Sequence, residues 1–229
     1  MIDNYFMPSR NIIKQYTENG YYHLYNRGVE KREIFLDEQD CQVFLHYLRM
    51  YLSTPEELKK MAILQPRINR FISLNLYKEL DLLSFSLMPN HFHLEIKQYT
   101  KNAITKFMRR LLTAYVMYFN KKYKRVGSLF QNNYKGVLIE NEIFLLHLSR
   151  YIHLNSLSVK SPINFMEFSS YPYYLGNKEA SWIKPQEIIS YFKSARNANF
   201  KDLLSYQSFV EDYKEDPAKI LSDLTLEDD

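Results

Sequence analysis

The sequence predicts an α+β fold: a ferredoxin-like βαββαβ antiparallel sheet with helices on one face, followed by a C-terminal helical extension. Three observations carry this. Hydrophobic residues make up 46% and charged residues 24% of 229, the balance of an ordinary globular chain able to bury a substantial core. Short runs rich in β-forming residues alternate with longer runs that have the period of amphipathic helices. Their order is strand, helix, two strands, helix, strand, which is the order of a split βαβ sheet with helices packed on it.

Each element has its own reason. Tyr21-Tyr22-His23-Leu24-Tyr25-Asn26 alternates and reads as the first strand, ended by Asn26-Arg27-Gly28. Asp37 then precedes a helical pattern to about Ser53, with Phe44, Leu48, Tyr51 and Leu52 on one face. Residues 54–79 open at a proline and contain Pro66; they read as a partly helical insertion. Leu80 to Leu87 is an apolar strand, Met88-Pro89-Asn90 a turn, and His91 to Gln98 the return strand of a hairpin. A long amphipathic helix follows from about Lys101 to Lys122, with Ile104, Phe107, Leu111, Tyr115 and Tyr118 or Phe119 inward. Gly127 breaks that pattern, Tyr134 to Ile139 is the fourth strand, and the last core helix spans about Asn141 to Asn155. Residues 1–160 thus form one domain. Residues 161–229 form an extension with turn-rich and aromatic segments, helical stretches near 185–195 and 200–213, and an acidic tail. No internal repeat is present.

Composition narrows the class. The single cysteine, Cys41, excludes an internal disulfide and a cysteine-rich zinc site, and suits a reducing cytoplasm. No apolar run reaches the roughly 18 residues a membrane span needs. The polar start MIDNYFMPSRN does not have the pattern of a signal peptide, so a cytoplasmic location is expected. The net charge is only +4, but from Ile96 to Ile139 there are ten basic residues and no acidic one. A run this one-sided repels itself unless a polyanion is near, which points to nucleic acid. Arg109, Arg110, Lys121, Lys122, Lys124, Arg125 and Lys135 are the candidate backbone contacts, with Arg27 at the end of the first strand. Aromatic residues interleave with these cations, as on surfaces that hold single strands by stacking.

The most informative stretch is Pro89-Asn90-His91-Phe92-His93-Leu94-Glu95-Ile96. A strand has a period of two, so His91 and His93 share a face. Two neutral imidazoles there can hold a divalent metal or bond to a phosphate; two surface histidines without a ligand have the same pattern. Glu95 is in phase with them and is a candidate further ligand. On the last core helix Tyr151 and Asn155 are four apart, with His147 one turn earlier on the same side. Leu145, Leu148 and Ile152 form the adjacent stripe that docks this helix. The residues alone do not choose Tyr151 over Tyr115 or Tyr118.

Met88-Pro89-Asn90-His91-Phe92-His93-Leu94, Tyr22-His23-Leu24-Tyr25-Asn26-Arg27-Gly28 and Tyr151-Ile152-His153-Leu154-Asn155 together resemble the REP-associated tyrosine transposases. These are relatives of the single-strand HUH transposases of bacterial insertion sequences. Gly127-Ser128-Leu129-Phe130-Gln131 and Phe168-Ser169-Ser170-Tyr171 resemble that group as well, so the likeness spans about residues 20–195. It implies that His91, His93 and Asn155 bind Mg²⁺ or Mn²⁺, and that Tyr151 attacks a phosphate to leave a 5′-phosphotyrosine link and a free 3′-hydroxyl. It implies single-stranded DNA with hairpin structure as substrate, cleaved and transferred between strands, and it is compatible with a homodimer. Two departures are visible: the family's tyrosine helix often ends in Asn-Pro, whereas Ser156-Leu157 follows Asn155 here, which should change the helix exit, and residues 54–79 match nothing in that pattern. The competing readings are a non-catalytic nucleic-acid-binding module on the same sheet, and a metallohydrolase using the histidine pair. The latter usually needs further His or Asp ligands.

Overall fold

Alternation builds four strands: β1 (Tyr21–Arg27), β2 (Leu80–Met88), β3 (His91–Gln98) and β4 (Lys135–Ile139). The computed structural model describes residues 16–195, 205–212 and 221. The strands form one antiparallel sheet in the order β2-β3-β1-β4, with β2 and β3 adjacent as a hairpin requires and His91 to Gln98 central. This is the βαββαβ arrangement expected. The polar start, the acidic tail beyond Leu221, and residues 200–204 and 213 of the expected last helix lie outside the described residues.

Two helices cover one face of the sheet. Helix α1 (Glu38–Leu52) starts where Asp37 accepts the Asp40 N–H at 3.0 Å, a side-chain cap of the kind the sequence signalled. The 54–79 insertion contributes α2 (Pro55–Leu64), opened by a Thr54/Glu57 capping box, and the short α3 (Asn69–Ile72). Helix α4 (Ala103–Lys122) buries Ile104, Phe107, Leu111, Tyr115 and Phe119. With α1 it packs on Phe92, Leu94 and Ile96 of β3 and Tyr22 and Leu24 of β1, in one continuous core. Of the alternatives at the helix end, Phe119 points inward and Tyr118 is half-buried.

The opposite face carries the histidines. Strand β1 places His23 and Tyr25 across from Glu95 and His93, so all four side chains share that face. It is covered by α5 (Glu142–Ser158), capped by Asn141 and docked through buried Leu145, Leu148 and Ile152. The helix runs one turn past Asn155, as the lack of a proline there allows. A bulge between Leu82 and Ser84 resets β2 against β3. As a result Ser84 and Ser86 pair with Glu95 and His93, while Phe85 and Leu87 join the α1/α4 core.

Strand β2 is an edge, and the extension satisfies its outer backbone groups. After a 3-10 turn at Phe165–Phe168 come α6 (Tyr171–Tyr174), α7 (Gln186–Ala195) and α8 (Tyr206–Glu211). The Phe85 N–H donates to the Ser170 hydroxyl oxygen at 2.8 Å, and the Tyr174 hydroxyl donates to the Leu83 carbonyl at 3.0 Å. Trp182 lies 5.5 Å from the Phe85 ring. Among the described residues no helix is long and apolar enough to cross a membrane.

His153 ties α5 to this extension. Its fully buried ring sits between the Ser170 hydroxyl at 2.6 Å and the Tyr206 hydroxyl at 2.7 Å, and burial pushes its pKa down to about 3. An unfolded histidine titrates near 6.5, so protons bind the unfolded chain preferentially between those values. The stability held by the neutral ring is therefore complete above about pH 6.5 and is lost as the pH falls. Urea unfolding between pH 6 and 4.5 should be less pH-dependent in His153→Gln than in the wild type, by about 1.4 kcal/mol per pH unit. An equal slope in both proteins would show that His153 is not the titrating group.

Candidate active site

The site is built on β3 and roofed by α5. His91 and His93 project from the same face with ring centroids 4.9 Å apart. The Tyr151 ring lies 5.4 Å from the His93 ring, nearly perpendicular to it at 81°. Tyr151 is itself buried in the α5 cluster, held among the apolar residues that dock the helix. Asn155 follows one turn later, and its side-chain nitrogen is shielded from solvent with no hydrogen-bond partner.

Both imidazoles are neutral at ordinary pH. His91 is pushed down to about 3, by burial first and then by the nearby charges of Arg27 and His23. His93 is driven well below the usual range, by burial first, then by His91, His23 and Arg27. Neutral rings offer lone pairs, and two neighbours decide where those point. The Asn90 amide donates to the Lys31 carbonyl at 3.1 Å, which turns its oxygen to His91 Nδ1 at 2.6 Å. Nδ1 of His91 therefore carries the proton, and Nε2 carries the lone pair. His93 Nδ1 and His23 Nε2 share a hydrogen bond at 2.9 Å, and the tautomer in which His93 donates leaves its Nε2 with the lone pair. That Nε2 atom is buried and has no partner. An unpartnered ligand atom beside a second neutral imidazole fits a divalent cation.

His23 and Asn90 are the residues that sequence reasoning passed over. Asn90 was legible only as a turn residue. His23 is in phase with Tyr25 on its own strand, but its meeting with His93 crosses 70 residues of chain. Glu95 is buried between the strands on the same face. Burial raises its carboxyl to about 8 although the Ser84 hydroxyl donates to it at 2.6 Å, so it is protonated near neutral pH. Among the described residues no three His, Cys, Asp or Glu side chains gather as a metal cluster.

The rival tyrosines face the other way. The Tyr115 hydroxyl donates to the Ile34 carbonyl inside the α1/α4 core, and the Tyr118 hydroxyl donates to Asp40 at 2.9 Å. Both lie across the sheet from the histidines.

The basic residues divide into distinct groups. Arg27 and Lys135 share the histidine face: Arg27 pairs in register with His91, and Lys135 with Tyr25. Arg109, Lys121 and Lys124 are exposed, while Arg110 donates to the Leu74 carbonyl at 2.7 Å and Arg125 to the Asn120 side chain at 3.3 Å. His147 sits beside Arg150, away from the β3 histidines in the contacts it makes.

Lys122 requires a correction. Its ammonium bonds Asp37 at 2.7 Å and fully buried Asp40 at 2.8 Å, so its charge is matched by carboxylates of the protein itself, unlike that of exposed Lys121. Lys122→Ala should lower stability by about 3 kcal/mol by leaving a buried carboxylate short of its cation. Lys121→Ala should leave stability unchanged and reduce the salt dependence of single-strand binding by about 0.7. Thermal melts and salt titrations separate the two; a reduced salt slope in the Lys122 variant with unchanged melting would reverse this assignment.

No curated protein matches the sequence. Two solved structures are similar. One is a REP-associated tyrosine transposase bound to a REP hairpin, 15% identical, covering 78% of this chain and 92% of that one, with a TM-score of 0.45. The other is a protein of Deinococcus radiodurans R1 described as a transposase, 17% identical, covering 65% and 97%, with a TM-score of 0.35. Residues 16–155 match the family model described as "Transposase IS200 like". That stretch is more than half of the chain and contains both histidines, Tyr151 and Asn155, so this chain belongs to the IS200-like transposase family.

Proposed function

We propose that this protein cleaves and rejoins single-stranded DNA with hairpin structure, in a divalent-metal-dependent reaction through a 5′-phosphotyrosine at Tyr151. The observation that carries the reading is the Tyr151 ring beside His93, with a second neutral imidazole adjoining. The Tyr151 oxygen attacks the scissile phosphorus in line as the bond to the 3′ oxygen breaks. The phenol loses its proton, the departing 3′ oxygen gains one, and the DNA is left with a free 3′-hydroxyl. Attack by a 3′-hydroxyl on the tyrosine ester reverses the step, so one site can cut and rejoin.

Nε2 of His91, Nε2 of His93 and the Asn155 amide would hold Mg²⁺ or Mn²⁺, which supplies Lewis-acid polarisation of the phosphate. His23 and Asn90 orient the two rings. Arg27 and Lys135, on the same face, would neutralise the phosphate charge, while Arg109, Arg110, Lys121, Lys124 and Arg125 serve the DNA backbone farther away. We read residues 1–160 as the catalytic unit and 161–229 as an extension, whose Ser170 and Tyr174 bond the edge strand.

The test is incubation of the full chain with a hairpin oligonucleotide bearing single-stranded tails and Mn²⁺, followed by a denaturing gel. A protein–DNA adduct that forms with Mn²⁺ and is absent in EDTA is expected. Tight binding with no adduct under any metal condition would favour a binding module instead.

A further inference from the structure

A groove of about 600 Å³ lies between α1, the 54–79 insertion and α4, on the sheet face opposite the histidines. Its aromatic wall presents the half-buried Tyr47 ring, backed by Tyr51 and Phe71, which are buried and meet edge to face at 5.5 Å. The Arg70 guanidinium lies 4.8 Å from the Phe71 ring. Arg109, Arg110 and Lys121 add three more cations, and no carboxylate lines the groove. Arg110 is held in place by its bond to the Leu74 carbonyl, so the insertion and α4 are joined at this point. Met117, 68% exposed, forms an apolar rim.

These features select one kind of occupant. An inorganic anion would use the charges but not the aromatic wall. An apolar peptide would use the wall but leave four cations facing it. Duplex DNA has phosphates but no free base face. An unpaired nucleotide has a flat, stackable ring with a phosphate on either side, and the groove is within the roughly 300–1,000 Å³ of small-ligand sites.

We propose that this groove stacks an unpaired base of single-stranded DNA and neutralises its flanking phosphates, as a DNA contact separate from the site of cleavage. It extends the reading above, and it gives the insertion a role: α3 supplies the Arg70 charge, and its Phe71 supports the stacking ring of Tyr47 from 6.4 Å. The contact needs no metal and no chemistry at Tyr151.

The probe is 5′-fluorescein-labelled dT10, with binding followed by anisotropy in EDTA, where cleavage does not interfere. Arg70→Ala combined with Lys121→Ala, both exposed positions, should weaken binding at least tenfold and reduce the salt slope by about 1.4. Removing two equally exposed charges outside the groove, Lys59→Ala with Lys60→Ala, should leave the affinity within twofold. Replacing the thymines by abasic sites should weaken binding at least fivefold, the loss of one stacked base at about 1 kcal/mol. A 4-thiothymidine oligonucleotide should photocrosslink to peptides that contain Tyr47, Phe71 or Met117. Wild-type affinity in the Arg70/Lys121 variant, equal binding of abasic DNA, or crosslinks confined to α5 would each overturn the proposal. Because the assay excludes catalysis, failure of the adduct experiment leaves this result standing.

Discussion

Tyr151→Phe is expected to abolish the covalent DNA adduct while leaving the fold and DNA binding in place. The change removes one oxygen and keeps the ring that packs in the α5 cluster and against His93. Loss of one hydroxyl costs about 1 kcal/mol of stability, too little to unfold a domain of this size. Loss of a nucleophile is a far larger effect, on the order of 10⁴-fold or more in the chemical step. A denaturing gel with labelled hairpin DNA should show no shifted protein in the variant. Tyr115→Phe should leave the adduct intact and cost some stability, since its hydroxyl is bonded to the Ile34 carbonyl in the opposite core. An adduct that persists in Tyr151→Phe would remove Tyr151 from the mechanism.

The second large effect concerns the histidines. His93→Ala should lower Mn²⁺ affinity at least about 100-fold, since removing a ligand costs more than the 10- to 100-fold seen when a ligand's support is lost. Isothermal titration with Mn²⁺ reads this directly, without DNA. The ring is fully buried and bonded to His23, so its removal also opens a cavity and orphans a neighbour. His91→Ala is the safer companion, because that ring is only half-buried and rests on Asn90. Both variants should lose adduct formation together with metal binding. If Mn²⁺ binds His93→Ala and His91→Ala as tightly as the wild type, the metal, if any, is held elsewhere.

Much of the fold could be read along the chain. The alternation in Tyr21–Asn26 and His91–Gln98, the Asp37 cap and the Asn141 cap each specify an element through contacts a few residues long. The apolar stripe Leu145, Leu148, Ile152 marked the docking side of α5 and, by exclusion, the side on which Tyr151 and Asn155 travel together. The run Leu80 to Leu87 was less legible. It is apolar almost throughout, so nothing in it announced the bulge that turns Ser84 and Ser86 toward the histidine face.

The sequence by itself determined that His91 and His93 share a face, that Tyr151 and Asn155 share another, and that the cations of α4 have no acidic residue near them in the chain. These are consequences of backbone periodicity, which acts over one or two turns of structure. Only the tertiary structure decided which face α5 covers, and so which tyrosine meets the histidines. It alone paired His93 with His23 across 70 residues and Lys122 with Asp37 across 85. It also brought the 54–79 insertion against α4 to make a charged, aromatic groove. The physical reason is range: periodicity fixes where a side chain points, but burial, pKa and charge pairing depend on what the rest of the chain places opposite it.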